Sequence, residues 1–124
     1  MRIIKFRGKR LDNSEWVVGD LARGVSDKDY AISTNSIGLF EVDPSTIGQF
    51  TGLTDKNGKL IWEGDIVSFF IGGFYYTRTV YLSKSGAWCV DIPSIDSTHD
   101  VAIFLFSIEN IEVIGNIHDN PELL

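Results

Sequence analysis

The chain has 124 residues, of which 44% are hydrophobic, 12% aromatic and 23% charged. This length and composition predict a single globular domain, spanning residues 1–124, that buries its own core without covalent staples. The formal net charge of −6 argues against a protein that coats duplex nucleic acid, because such proteins carry a broad basic face.

Neither a membrane span nor a secretory signal is expected. The longest apolar runs, such as residues 101–106, are far shorter than the roughly 20 residues that a membrane-spanning helix needs. Charged side chains also interrupt the apolar residues near the N-terminus, where a signal peptide would need an unbroken apolar segment. Cys89 is the only cysteine, so no intrachain disulfide can form. These features predict a cytoplasmic protein with no membrane partner.

Short alternating segments separated by turn residues recur along the chain, which is the pattern of β-strands. Pro44 predicts a local stop with a short helical turn. Asn57-Gly58 predicts a tight primed turn, and Gly72-Gly73 predicts a further hairpin. The predicted strands are residues 2–7, 15–21, 30–33, 37–42, 50–54, 59–62, 65–71, 74–82, 87–92, 101–106 and 112–117.

The predicted fold class follows from these segments. Eight or more short strands with frequent turns predict an all-β, mainly antiparallel domain, either a compact β-barrel of the SH3-like kind or a small sandwich. Residues 74–82 carry apolar bulk on both faces, which predicts a strand that is central or bent across two layers. Asn120 and Pro121 have the order of a helix cap and a first helical residue, so one turn is expected there.

No catalytic residue, cofactor or metal site is predicted. A nucleophile would have to be Cys89, assisted by His99 or His118 and oriented by Asp91 or Asp100. However, Cys89 lies between Trp88 and Val90 in an apolar segment, where cysteine behaves as a small hydrophobic residue. Two histidines and one cysteine also cannot supply four zinc ligands. A metal-dependent enzyme with an acidic site near Asp96, Asp100 or Asp65 is the weakest alternative, and a solvated loop is favoured over an ion site at residues 96–100.

A run of aromatic residues around the Gly72-Gly73 turn has two interpretations. It can form core and cross-strand pairs, or part of it can cover an interface with another subunit or a target protein. The predicted interaction surface comprises Phe69, Phe70, Phe74, Tyr75, Tyr76 and Arg78.

Charge is distributed unevenly along the chain. The first ten residues hold five bases and no acid, whereas residues 85–124 hold seven acids and no base. Attraction between the two ends, within a subunit or between subunits, is the favoured interpretation. The alternative is a nucleic-acid-binding module that uses the basic first strand together with aromatic residues of the 72–82 region. The basic residues are Arg2, Lys5, Arg7, Lys9 and Arg10.

Residues 49–67 read QFTGLTDKNGKLIWEGDIV, and residues 112–124 read EVIGNIHDNPELL. Both stretches resemble the signatures of the YopX family, whose members are small proteins encoded largely by phages and prophages. The opening IIKFR at residues 3–7 is similar to the start of the family signature. The resemblance therefore touches the beginning, middle and end of the chain, while residues 12–39 and 72–100 match no motif.

The resemblance implies a phage- or prophage-derived protein that self-associates, and it carries over no enzymatic activity. The signature residues are predicted to build turns and core, with Ile61, Trp62, Ile66 and Val67 in the core. The predicted function is a non-enzymatic accessory protein that forms a homo-oligomer and binds a host or phage macromolecule. The signature positions predicted to be structural are Thr51, Gly52, Asp55, Asn57, Gly58, Glu63, Gly64, Asp65, Gly115, Asn116 and Pro121.

Overall fold

The computed structural model describes residues 4–23, 29–34 and 38–124. Within these ranges every regular element is a β-strand or a short 3₁₀ turn, so the all-β prediction is confirmed. Residues 2, 3 and 37 of the predicted strands lie outside the described residues. The strands are β1 (Phe6–Lys9), β2 (Trp16–Arg23), β3 (Tyr30–Thr34), β4 (Gly38–Val42), β5 (Gly48–Thr54), β6 (Leu60–Trp62), β7 (Asp65–Ile71), β8 (Phe74–Thr79), β9 (Tyr81–Leu82), β10 (Trp88–Pro93), β11 (Asp100–Phe104) and β12 (Glu112–Asn116).

The chain forms two compact units, Met1–Gly52 and Leu53–Leu124. In the first unit, β4, β3, β2, β1 and the start of β5 follow one another in an antiparallel sheet. Ala31, Ile32 and Val42 are its fully buried side chains. A 3₁₀ turn, Pro44–Thr46, connects β4 to β5, as Pro44 predicts, and the Asp43 carboxylate accepts a hydrogen bond from the Ser45 amide at 3.0 Å.

The second unit contains two three-stranded antiparallel sheets, ordered β12-β7-β8 and β11-β10-β9. Alternate residues of the strands meet in one hydrophobic core, as the period-two pattern requires. Ile61, Trp62, Ile66 and Val67 are all buried, which confirms their predicted place in the core. The core cluster comprises Ile61, Val67, Phe69, Val80, Val90, Leu105, Ile108, Ile111 and Val113.

The predicted barrel is not found, because each of the sheets is open and has two different edge strands. The predicted single strand over residues 74–82 is two strands, β8 and β9, which pair with β7 and β10 respectively. Val80 separates them: its amide donates to the Asp65 carbonyl, and its carbonyl accepts from the Gly64 amide, both at 2.9 Å. The expected bend across two layers is therefore confirmed as a segment shared between two sheets.

The turn between β5 and β6 differs from the predicted primed turn. Asn57 does not have a positive φ, whereas Gly58 has a φ of +80°. The Gly58 amide donates to the Asp55 carbonyl, and the Asp55 amide donates to the Lys59 carbonyl at 2.8 Å. This pattern is typical of a three-residue loop with glycine in the left-handed position. The sequence located the turn correctly and assigned it the wrong type.

The chain ends in a 3₁₀ turn, Pro121–Leu123, with Pro121 at its start as predicted. Asn120 occupies the predicted cap position before Pro121, but its side chain makes no hydrogen bond to this turn. Instead, the Asn120 Oδ1 accepts a hydrogen bond from the Asn116 amide at 3.2 Å. The side chain thus supports the end of β12 and does not cap the element that follows it.

Candidate functional site

The hairpin of β7 and β8 carries the predicted interaction surface. Gly72 and Gly73 connect the strands in a two-residue turn with φ values of +60° and +90°. Positive φ at both central positions defines a type I′ turn, whose twist matches that of the flanking strands. The register pairs Ile71 with Phe74, and the pairing continues along both strands to Ile66 and Thr79. The Gly72-Gly73 hairpin is therefore confirmed.

The strand register divides the aromatic residues between two faces. Phe70 pairs with Tyr75, and their rings lie 4.8 Å apart on a face where Phe70 is 54% and Tyr75 80% exposed. Phe69 is only 2% exposed and belongs to the core, where its ring contacts that of Tyr76 at a centroid distance of 5.7 Å. Its predicted place on the interaction surface is therefore wrong. Phe74, at the turn, is 66% exposed.

Tyr76 and Arg78 are half-buried and act within the fold. Arg78 donates from Nε to the Asp91 carbonyl and from Nη1 to the Thr77 carbonyl, each at 2.9 Å. Its guanidinium also lies 5.2 Å from the centroid of the Tyr76 ring. These contacts connect β8 to β10. Because the Arg78 guanidinium already interacts within the fold, we do not assign it to the interaction surface. The interaction surface is thus reduced to Phe70, Phe74 and Tyr75, named here the aromatic hairpin surface.

Two grooves border the aromatic hairpin surface. The groove beside Phe70 and Tyr75 has a volume of about 490 Å³ and is lined in addition by Lys56, Ser68, Phe69, Glu109, Asn110 and Glu112. The groove beside Phe74 has a volume of about 550 Å³ and includes the fully exposed Ile95. One groove therefore presents charges of both signs, and the other presents mainly apolar side chains.

The Asp55 carboxylate accepts three backbone hydrogen bonds within the central signature and its surroundings. Its Oδ1 accepts from the amides of Asn57 and Lys59, both at 2.9 Å, and its Oδ2 accepts from the Val113 amide at 3.0 Å. Burial raises the pKa of the carboxyl, but these amides together outweigh it and hold the pKa below 3.8. The carboxylate therefore fastens the turn between β5 and β6 to β12.

Neighbouring contacts strengthen the same connection. The Lys56 amide donates to the Ile111 carbonyl at 2.9 Å. Glu112 accepts from the Asn57 side chain at 3.2 Å, and the Lys56 ammonium lies 3.6 Å from the same carboxylate oxygen. Exposed pairs of this kind contribute little individually, about 0–1 kcal/mol. Their effect is to position the loop that the buried Asp55 anchors.

The second signature stretch builds a compact turn after β12. The Asn116 Oδ1 accepts from the amides of His118 and Asp119, and the Asn116 carbonyl accepts from the Asn120 amide. Gly115 lies against this turn, where an added Cβ would be 2.6 Å from the Asn120 Oδ1. Only glycine at position 115 leaves room for the side-chain amide of Asn120. Gly115 therefore allows Asn120 to pack closely against the backbone at the start of this turn.

The remaining signature positions also lie at bends or strand ends. Gly52 and Gly64 both have positive φ, at +84° and +87°. Asp65, 2% exposed, accepts a hydrogen bond from the Trp62 amide at 2.8 Å across the intervening Glu63-Gly64. Thr51 lies within β5, and Pro121 begins the terminal 3₁₀ turn. The structural role predicted for these signature positions stays a prediction, and the Asp65 hydrogen bond is consistent with it.

Two of the residues considered for nucleophilic chemistry, Cys89 and Asp91, contact other residues of the fold. Cys89 is 1% exposed and pairs with Tyr81 on one side and Phe104 on the other. Tyr81 donates to Asp91 at 2.5 Å, and this hydrogen bond raises the pKa of Tyr81 to about 12. Asp91 is therefore engaged by a phenol and is not oriented toward a histidine.

The acidic loop at residues 94–99 is organised by its own hydrogen bonds. Asp96 accepts from the hydroxyls of Ser94 and Thr98, both at 2.7 Å, and from the Thr98 amide at 3.1 Å. The Ser94 and Thr98 bonds hold the pKa of Asp96 at about 2. Across residues 4–23, 29–34 and 38–124, no three His, Cys, Asp or Glu side chains are grouped so that they could hold a metal ion.

Three of the predicted basic residues, Arg7, Lys9 and Arg10, contact aromatic rings of the first unit, and these rings were not among the predicted aromatic residues. Arg7 and Lys9 lie over the Trp16 ring at 4.5 and 5.5 Å from its centroid. The Arg10 guanidinium lies 4.2 Å from the centroid of the Phe40 ring. It also forms a bidentate ion pair with Asp12, and the hydrogen bonds to this carboxylate raise the pKa of Arg10. Arg2 lies outside the described residues. Residues i and i+2 of a strand lie on the same face, so the sequence of β1 already placed Arg7 and Lys9 together. That pattern could have predicted a shared aromatic neighbour such as Trp16.

Comparison with protein families decides the classification. The family described as YopX protein matches residues 5–124, nearly the whole chain. The chain belongs to the YopX family. The match includes both signature stretches and the hairpin between them. It therefore confirms the resemblance that the sequence motifs predicted.

Among solved structures, the YopX chain is similar to the crystal structure of protein EF1440 from Enterococcus faecalis. The identity is 24%, the alignment covers 100% of this chain and 99% of that one, and the TM-score is 0.46. A likeness of this size carries no argument about function. No curated protein matches the sequence. None of the helical segments within the described residues is long and apolar enough to cross a membrane.

Proposed function

We propose that this YopX-family protein is a non-enzymatic accessory protein, encoded by a phage or prophage and acting in the bacterial cytoplasm. In this role it self-associates and binds a host or phage macromolecule. The observation that carries the proposal is the aromatic hairpin surface, where Phe70, Phe74 and Tyr75 are 54%, 66% and 80% exposed. Large aromatic side chains exposed to water on a hairpin whose strands pair along their length favour a binding surface.

The surface has the properties of a contact site for a folded partner. The type I′ turn and the paired strands fix the backbone that carries the rings, so this segment needs no backbone ordering when a partner covers it. The mixed charges of Lys56, Glu109 and Glu112 border the rings and form a polar rim. A second exposed aromatic pair, Phe104 and Phe106, has stacked rings 5.5 Å apart and adds apolar surface available for self-association.

The groups that could have supported catalysis instead support this interpretation. Cys89 is buried, Asp65 accepts the Trp62 amide, and Asp55 accepts three backbone amides. Each of these groups has a structural use that accounts for its position. A binding role therefore explains both the occupied polar groups and the exposed aromatic ones.

Light scattering on the purified chain tests self-association. We expect a species heavier than the 13.9 kDa chain at micromolar concentration. A strict monomer across that range would contradict the self-association part of the proposal. Analytical ultracentrifugation over a tenfold dilution series provides the control for concentration-dependent aggregation, because a specific oligomer has one defined mass.

Nucleic-acid binding is the second candidate, and the placement of Arg7 and Lys9 over Trp16 favours it. An indole flanked by two cations can stack a base while the cations contact phosphate. We expect this binding to appear in filter-binding assays with single-stranded nucleic acid and to weaken as the salt concentration rises. Trp16→Ala should abolish it while Tyr75→Ala leaves it unchanged. No retention at low salt would exclude this candidate.

A further inference from the structure

Strand β11 is an exposed apolar edge. It stands first in the order β11-β10-β9 and therefore pairs on one side only within the described part of the chain. Its sequence is DVAIF, with Val101 38% and Phe104 50% exposed. Natural edge strands usually carry a lysine, a proline or a bulge that prevents pairing with another chain. The register of β11 with β10 runs without a shift, and β11 contains no lysine or proline; its one charged residue, Asp100, lies at its end.

The register shows which backbone groups of β11 point outward. The Ser94 amide donates to the His99 carbonyl at 2.8 Å, so this pair is hydrogen-bonded across the hairpin. Because hydrogen-bonded and non-hydrogen-bonded pairs alternate in an antiparallel ladder, Val101 and Ile103 direct their backbone groups toward β10. Asp100, Ala102 and Phe104 therefore direct theirs toward the free edge. This alternation agrees with the pairing of Asp100 and Pro93. Because proline has no amide hydrogen, the two residues cannot form a complete hydrogen-bonded pair.

We propose that β11 is the self-association strand, and that it pairs antiparallel with β11 of a second copy about a two-fold axis at Ala102. This inference rests on the self-association in the proposed function and names its surface. In this register Ala102 pairs with Ala102 of the second copy, and Asp100 pairs with Phe104 at both ends. The outward-facing groups of Asp100 and Ala102 and the Phe104 amide then gain hydrogen-bonding partners, while the Phe104 carbonyl already accepts from the Ser107 hydroxyl at 2.7 Å.

A second copy is the occupant that the sequence of β11 fits, because the two-fold register pairs apolar residues and separates the like charges. Asp100 is the only charged residue of β11, and the two-fold register places it opposite a phenylalanine. The two Asp100 carboxylates are then separated by four residues, roughly 14 Å along the strands, which exceeds the screening length of about 8 Å at physiological salt. The same register places Val101 beside Ile103 of the other copy on the second face. Like charges thus stay apart while apolar side chains meet.

The ends of the strand add to the same interface. Phe106, 73% exposed, follows Phe104 at one end of β11, and the fully exposed Ile95 precedes the other end. Antiparallel pairing brings the Phe106 end of one copy beside the Ile95 end of its partner. Because the contact is isologous, this apolar pairing occurs twice.

Replacing Ala102 by proline tests the pairing. Proline removes the outward amide at the two-fold axis without touching the amides that bond to β10, so it is tolerated at this edge. We expect Ala102→Pro to halve the mass measured by light scattering, whereas the matched variant Ala102→Ser, which keeps the amide, retains the wild-type mass. Circular dichroism establishes that both variants are folded.

Cross-linking provides a second, positive measurement that does not depend on the proline variant. Ala102→Cys is expected to form a covalent dimer on mild oxidation, because the two thiols meet at the axis. The wild type, whose only thiol is the buried Cys89, should form none. An oligomeric wild type in which Ala102→Pro keeps its mass and Ala102→Cys gives no cross-link overturns this inference alone. A monomeric wild type overturns both this inference and the proposed self-association.

Discussion

Replacing Phe69 by alanine is expected to lower the free energy of unfolding by about 3–5 kcal/mol, the usual cost of deleting a buried phenylalanine side chain. Phe69 is 2% exposed and packs among the core residues of the second unit. Replacing the adjacent Phe70, 54% exposed, should cost only about 1 kcal/mol, most of it from the lost ring contact with Tyr75. Urea denaturation followed by tryptophan fluorescence measures both values.

The two substitutions form a matched pair, because they remove the same side chain from consecutive residues of one strand. Only their direction relative to the core differs. A larger loss of stability for Phe70→Ala than for Phe69→Ala would show that the register assigned to β7 is wrong, since a shift by one residue would exchange the two faces. Phe70→Ala should also weaken partner binding, while any fraction of Phe69→Ala that remains folded should bind normally.

Replacing Asp55 by alanine is expected to lower the free energy of unfolding by roughly 3 kcal/mol, because hydrogen bonds to a charged acceptor contribute about 1.5–3 kcal/mol each and are partly shared. The change leaves the amides of Asn57, Lys59 and Val113 without this acceptor. Denaturant titration at neutral pH measures the loss. The connection between the turn and β12 should fail first, visible as faster hydrogen exchange of the Val113 amide.

Asp96→Ala is the control that tests whether the effect of Asp55→Ala depends on the burial of the carboxylate. Asp96 also accepts three hydrogen bonds, but its loop is exposed, so water can replace them. Its effect on stability should be far smaller than that of Asp55→Ala. Comparable losses would contradict the importance assigned to burial at Asp55.

Asp55 should also make stability depend on acid pH. The folded-state pKa lies below the ordinary value of 3.8, so the charged carboxylate is favoured in the folded state. Its contribution is therefore complete above about pH 4 and is lost as the pH falls through the folded-state pKa. Asp55→Asn should flatten this part of the stability profile. A profile with the wild-type slope below pH 4 would show that other carboxylates account for the acid dependence.

Several features of the fold could be predicted because they depend on neighbouring residues. Gly72-Gly73 supplies the positive φ values of a type I′ turn, and Pro44 fixes a stop whose φ is set by its own ring. The turn at Asn57-Gly58 shows the limit of this reasoning. The dipeptide located the reversal, but the hydrogen bonds between Asp55 and Lys59 lengthened the loop and left Asn57 without a positive φ.

The candidate site could be predicted only in part. The aromatic residues around Gly72-Gly73 were evident from the sequence, and three of them form the exposed surface. The sequence could not show that Phe69 and Arg78 lie away from this surface. Phe69 is buried in the core, and Arg78 donates hydrogen bonds to the carbonyls of Asp91 and Thr77. Likewise, the rings that contact Arg7 and Arg10 belong to Trp16 and Phe40, which strand pairing brings to them.

The sequence by itself determined the strand-rich character, the positions of most reversals and membership of the YopX family, since alternation, turn chemistry and motifs are local properties. The tertiary structure decided which aromatic face is buried, and it brought the Val113 amide to the Asp55 carboxylate across 58 residues. It also left β11 at an edge. Burial and pairing depend on segments that are distant in the chain, so no local pattern specifies them.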